Sequence, residues 1–116
     1  MSFDDLEHRL LDMLLAARRV QEYVQNKTLR DFESNGLLQD AVTHQIQTIG
    51  EAASWIPSEF QQAHPEIPWN EIVGMRHRLV HDYRRVEMRR VWDAAKNSVP
   101  QLISALDPLI PPPPAD

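Results

Sequence analysis

Leu6-Glu7-His8-Arg9-Leu10-Leu11-Asp12-Met13-Leu14-Leu15-Ala16-Ala17-Arg18-Arg19-Val20-Gln21-Glu22-Tyr23-Val24 places apolar side chains at Leu6, Leu10, Met13, Leu14, Ala17, Val20 and Val24. Steps of three and four residues are the mark of a helix with one buried stripe, and they predict a helix over residues 4–26. Asp4 and Asp5 stand near its start, where negative charge complements the helix dipole. His8 reads as a surface residue of that helix. Strand-like alternation is essentially absent from the chain, so the fold follows the pattern of this first segment.

Downstream, Thr28-Leu29-Arg30-Asp31 sets a hydroxyl cap before an acid three residues on, the pattern of a short helix or turn, which Asn35-Gly36 closes. A second long helix is predicted over residues 37–56, with Leu38, Ala41, Val42, Gln45, Ile46, Ile49, Ala53 and Ile56 on its stripe. Gly50 interrupts it at a cost of about 1 kcal/mol relative to alanine, which points to a close helix–helix approach. Pro57 breaks the chain, Ser58 to Gln62 reads as one helical turn ended by His64-Pro65, and Ile67-Pro68-Trp69-Asn70 reads as an extended connector. A third long helix is predicted from about Asn70, a good N-cap, with Ile72, Val73, Met75, Leu79 and Val80 buried and fraying at His81-Asp82-Tyr83. The last helix is predicted over residues 86–106, with Val91, Trp92, Ala95, Val99, Leu102, Ile103 and Leu106 inward and Pro100 kinking or dividing it. The expectation is an all-α, up-and-down bundle of four principal helices with short connecting helices over residues 1–107. A Pro-rich, disordered tail is expected over residues 108–116.

A chain of 116 residues supports one domain and one core. With no cysteine there is no disulfide, thiolate ligand or thiol nucleophile, which suits a reducing cytoplasm. The acidic start and the interruption of the first apolar run by Asp12 and Arg18-Arg19 argue against a secretory signal or a membrane span, so a cytoplasmic location is expected. His44 and His64 lack a companion ligand at helical spacing, so neither a metal site nor a cofactor is expected. The net charge of -5 argues against a protein that coats nucleic acid non-specifically. That average hides an asymmetry, because six arginines (76, 78, 84, 85, 89 and 90) face only Asp82 and Glu87 between residues 76 and 90, a local balance of +4. One basic, histidine-bearing patch on an acidic body suits a localised phosphate site. A solvated helical face would have the same composition.

The patch begins in Gly74-Met75-Arg76-His77-Arg78-Leu79-Val80-His81-Asp82-Tyr83. On one helix Arg76, Val80 and Tyr83 share a face, whereas His81, five residues beyond Arg76, lies about 140° round. Arg76 and His81 therefore converge on a ligand only if the helix loosens at His81 or a second copy of the motif completes the site. A histidine titrates near neutrality and passes protons, and an arginine fork holds phosphate oxygens and offsets charge growing on them. RNA supplies its own 2′-hydroxyl nucleophile, so such a pair suits metal-free phosphodiester cleavage. Arg76 is equally suited to a salt bridge with Glu51 or Glu71, and His81 to capping its helix.

This stretch resembles the signature of the HepT-like ribonuclease toxins of the HEPN superfamily: Arg, four residues, His, one residue, Tyr. Arg76, His81 and Tyr83 match it in identity and spacing. His77 stands where the commonest form has Asn, with Asp or His also tolerated. Ile49-Gly50-Glu51-Ala52-Ala53, Pro65-Glu66-Ile67-Pro68-Trp69 and Val91-Trp92 are similar to further family landmarks, so the resemblance spans roughly residues 5–107. It implies a HEPN-like homodimer whose two motifs meet in an interface cleft, and a metal-independent endoribonuclease with Arg76 and His81 catalytic and His77 auxiliary. It further implies the toxin of a type VII-like toxin–antitoxin pair, silenced when an MntA-type nucleotidyltransferase antitoxin transfers AMP to Tyr83. Arg78, Arg84 and Arg85 would hold flanking RNA phosphates, and Glu51 is a candidate partner for Arg76. The competing expectation is a non-catalytic helical partner that presents substrate or nucleotide to a minimal nucleotidyltransferase.

Overall fold

Ser2 begins the first helix: its hydroxyl accepts from the Asp5 backbone N–H at 3.2 Å, and the Asp5 carboxylate accepts from the Ser2 N–H at 3.3 Å. This capping box satisfies donors that a helix start otherwise leaves bare, and it holds the Asp5 carboxyl below its ordinary value through the Ser2 hydrogen bonds. The computed structural model, which describes residues 1–111, places helix α1 over Phe3–Val24. Asn26 adopts a left-handed backbone, φ 61°, so the helix stops two residues before the predicted end. Thr28 and Asp31 build a second capping box at the start of α2 (Leu29–Glu33), again lowering the carboxyl through the Thr28 hydrogen bonds. Asn35 does not end α2 as expected. Ser34 takes that position, and the Asn35 side chain accepts from the Leu38 N–H at 3.0 Å to cap α3, Gly36–Ser54.

After α4 (Ser58–Ala63), helix α5 spans Trp69–His81 and begins before the predicted Asn70. The Trp69 side chain is buried and its Nε1 donates to the His64 carbonyl at 3.0 Å, so Trp69 is drawn into the first turn and Pro68 occupies the cap position. A 3-10 turn, Tyr83–Arg85, leads to α6, Met88–Asp93, which starts two residues after the expected Val86. A π turn, Ala94–Ser98, joins α6 to α7, Val99–Leu106, and the Val99 N–H reaches the Ala94 carbonyl. Pro100 follows immediately. Its ring clashes with the carbonyl four residues back and it offers no N–H, so the widened turn accommodates what the predicted kink was to absorb.

α3 lies centrally, with α1 and α5 against it, α7 on α1, and α2 against both α3 and α6. Among the described residues the fold is all-α, and the four principal helical segments are α1, α3, α5 and the α6–α7 run. α1 buries Leu10, Met13, Leu14, Ala16, Ala17, Val20 and Val24; a fully buried Leu, Val or Met contributes about 1.5–3 kcal/mol. α5 buries only Trp69 and Leu79, and Val80, expected in the core, is 46 % exposed. The apolar stripe of α5 is narrower than its composition implied because its main packing partner is α3 alone.

The chain beyond Leu106 packs where a loose tail was expected to start. Pro108 sits in a 3-10 turn, Asp107–Leu109, Asp107 pairs with Arg18 at 3.0 Å, and Leu109 and Ile110 rest on the core. The remainder of the expected tail, residues 112–116, lies outside the described residues. No helix among the described residues is long and apolar enough to cross a membrane.

Candidate active site

Gly50 sets the distance between α3 and α5. A Cβ at this buried position would collide with the Cβ of Arg76 and lie 3.1 Å from the Ile72 carbonyl oxygen. The absent side chain lets the two backbones approach, and the stem of Arg76 is fixed in that contact. Its guanidinium then reaches the next residue of α3: Arg76 Nη2 lies 2.6 Å from Glu51 Oε2. Glu51 Oε1 accepts from Trp55 Nε1 at 3.1 Å, and the Arg9 guanidinium carbon lies 5.0 Å from the centre of the Trp55 ring. A continuous set of polar and cation–π contacts therefore runs from α1 through the end of α3 to Arg76. Both members of the ion pair are partly exposed, so solvent screens it. It orients Arg76 more than it stabilises the fold. Of the two acids considered as partners, Glu51 makes the bridge; Glu71 lies along a groove on another side of α5.

His77 and His81 occupy successive turns on an exposed side of α5, their ring centres 4.6 Å apart and tilted by 52°. Among the described residues no hydrogen bond or ion pair joins Arg76 to either ring. One chain thus presents a clamped arginine and a neighbouring imidazole pair on different sides of one helix, as the 140° offset required. α5 ends at His81, where fraying was expected, with the Asp82 N–H closing on the Arg78 carbonyl at 2.8 Å. Asp82, at φ -144° and ψ 36°, redirects the chain, so Tyr83 opens the 3-10 turn and leaves the helical face it was expected to share with Arg76. The tyrosine is 38 % exposed.

The three arginines assigned to RNA phosphates separate. Arg84 and Arg85 lie exposed on the turn, Arg85 Nε being 3.5 Å from Asp82 Oδ1. Arg78 lines a groove of about 910 Å³ between α5 and the α6–α7 run, with Arg90 on its opposite wall and Ile46, Ile49 and Met75 among its apolar residues. Trp55 and Arg90 were missed as site residues. The four-residue step from Glu51 to Trp55 and the position of Arg90 within the counted basic stretch were their available signals. No group of three or more metal-ligating side chains occurs among the described residues.

Comparison with known proteins identifies the family. The sequence matches the family described as "Ribonuclease HepT-like" over residues 13–109. It is 37 % identical over 93 residues to a "Probable ribonuclease HepT" of Thermococcus cleftensis, covering 80 % of this chain and 84 % of that protein. A "Putative RNase" of Caldanaerobacter subterraneus subsp. tengcongensis is 36 % identical over 84 % of this chain and 83 % of its own length. A "Putative RNase" of Methanocaldococcus jannaschii is 32 % identical over 88 % of this chain and 94 % of its own. No solved structure matches. The match over most of the chain, spanning the Gly50–Arg76 contact and the histidine pair, establishes that this protein belongs to the HepT-like ribonuclease family.

Proposed function

We propose that the protein is a metal-independent endoribonuclease, the toxin of a type VII-like toxin–antitoxin pair, acting as a cytoplasmic homodimer with composite sites. The observation that carries this reading is the fixed placement of Arg76, wedged at Gly50 and bridged to Glu51, one residue from an exposed pair of imidazoles. Arg76 binds the scissile phosphate and offsets the charge that grows on its oxygens. His81 acts in general acid–base catalysis and His77 assists it. In the cleavage step a base takes the 2′-hydroxyl proton and that oxygen bonds to phosphorus. The bond to the 5′-oxygen breaks, and an acid returns a proton to the leaving oxygen. The products are a 2′,3′-cyclic phosphate and a 5′-hydroxyl. Every electron pair is accounted for without a metal.

The dimer reading is supported by the offset between Arg76 and the imidazoles and by the outer face of α5, where Val80 is left half exposed. A second copy placed across this surface supplies histidines to the first copy's arginine. Arg84, Arg85 and, from the groove side, Arg78 hold flanking phosphates.

Control falls to Tyr83. An MntA-type nucleotidyltransferase presents ATP to its exposed phenol, the phenolic oxygen bonds to the α-phosphorus, pyrophosphate leaves, and the phenolic proton passes to solvent. The added phosphodiester carries negative charge beside the basic patch and blocks RNA. Intact mass after incubation with ATP and the partner tests this: a gain of one or more AMP on wild type and none on Tyr83→Phe is expected. No gain on wild type, with the partner shown competent, would refute it.

The groove between Arg78 and Arg90 favours a second reading, a non-catalytic nucleotide-binding partner of that transferase. Expression without the antitoxin separates the two. Toxicity abolished by His81→Ala supports the ribonuclease, and toxicity that persists in that variant counts against it.

A further inference from the structure

We propose that His77 and His81 form a two-point binding site for a borderline-soft dication of the Zn²⁺, Ni²⁺ or Cu²⁺ class, and that filling it stops catalysis. Residues four apart on a helix stand on one face in successive turns, and these two rings already lie centre to centre at 4.6 Å with a 52° tilt. Zinc binds imidazole nitrogen at about 2.0–2.1 Å, which sets two ligating nitrogens roughly 3 Å apart. Ring centres at 4.6 Å put the two imidazoles within the range of one shared ion, and rotation of the side chains must turn one nitrogen of each ring towards it. Within one chain both residues are exposed, so no packing of that chain resists the rotation and water completes the coordination.

Among the described residues of one chain, no hydrogen bond or ion pair engages these nitrogens. The hydrogen bonds of the described residues engage the ring of His64 but neither His77 nor His81. The pair sits in the last turns of α5, where the helix dipole favours a cation; the Asp82 carboxylate that follows is already paired with Arg85 at 3.5 Å. Arg78, Arg84 and Arg85 oppose this by repelling positive charge. A hard cation such as Mg²⁺, held by charge and oxygen ligands, gains nothing from two imidazoles and is excluded. A metal that bonds strongly to imidazole overcomes the repulsion. The inhibitory consequence rests on the ribonuclease reading: a nitrogen whose lone pair is given to a metal can neither take nor return a proton. Binding itself does not depend on that reading.

The test is calorimetric titration of the full-length protein, without RNA, with ZnCl₂, NiCl₂ and MgCl₂ at neutral pH. Zn²⁺ and Ni²⁺ should bind one per chain, Mg²⁺ should not bind, and His77→Asn and His81→Asn should each weaken Zn²⁺ by about tenfold or more. Circular dichroism melts of the variants verify that they fold. No Zn²⁺ binding, equal Zn²⁺ binding by wild type and both folded variants, or Mg²⁺ binding at the same site would overturn the proposal. Cleavage of RNA by the wild type should then fall with the same Zn²⁺ midpoint and recover on chelation. Cleavage unchanged at saturating Zn²⁺ would overturn the inhibitory half. Zn²⁺ binding by a protein that never cleaves RNA would instead support the site and sink the ribonuclease reading, so the two failures are distinct.

Discussion

α1 and α5 both lie against α3, yet they are held there by different means. α1 is fixed by area: seven of its side chains are buried, with Met13, Ala17 and Val20 fully so. α5 buries two, and its position is set by a backbone approach at Gly50 together with the Arg76–Glu51 bridge. α1 turns its widest apolar stripe inward, whereas α5 rests on α3 through partly buried Ile72, Val73 and Met75 as well as the Gly50 approach. On α5 the arginine is clamped and the histidines are exposed, the division that the proposed catalytic role requires.

Substitutions on the two helices should therefore separate stability from activity. Met13→Ala empties a fully buried position on α1 and should lower unfolding free energy in urea by about 2–5 kcal/mol, with cleavage per folded molecule unchanged. A fall in that specific activity would mean α1 is more than scaffold. Gly50→Val forces α3 and α5 apart at Arg76 and should cost less stability, about 1–3 kcal/mol, while abolishing cleavage. Retained cleavage would show that the close approach does not place the arginine. Glu51→Gln keeps the shape and removes the charge. Because the pair is partly exposed, the stability change should stay within about 1 kcal/mol, with kcat falling about tenfold and KM little changed. An unaltered kcat would remove Glu51 from the site.

The smallest effect belongs to the capping boxes of α1 and α2. Asp5 and Asp31 are both held below the ordinary value of 3.8 by their caps, so each favours the folded state above that pH and loses its contribution as pH falls through the folded value. The melting temperature of an Asp5→Asn, Asp31→Asn double variant should lie slightly below wild type at neutral pH, with the gap closing in acid. A gap that persists at the lowest pH would assign it to something other than the carboxylate charge.

Much of this was legible in the chain. The stripe of α1, the short Thr28-capped helix, the close approach at Gly50 and the end of α5 at His81 each follow from local chemistry that no distant contact overrides. What was hidden depended on tertiary partners. Val80 carries a core residue's side chain on a helix whose neighbour covers a narrower stripe. Trp69 joins α5 because a carbonyl of the preceding loop accepts its indole N–H. Leu109 and Ile110 look like part of a proline-rich end until the core they rest on is seen. At the candidate site, Arg76, His81 and Tyr83 stand out through their resemblance to the family's Arg–His–Tyr signature, since the spacing alone is a weak pattern, but the link from Glu51 to Trp55 and Arg9 joins helices that sequence distance does not pair. Tyr83 leaves the helical face because of one backbone turn at Asp82, a change of direction that periodicity cannot register.

In the proposed reaction Arg76, bridged to Glu51 of α3, and His81, at the end of α5, cut RNA together without a metal. Cleavage of one RNA by wild type, Arg76→Ala and His81→Ala, each purified, shown folded and assayed in excess chelator, measures it directly. The wild type should cleave, and each variant should lose about a hundredfold or more. Equal cleavage by all three proteins would contradict the proposed reaction.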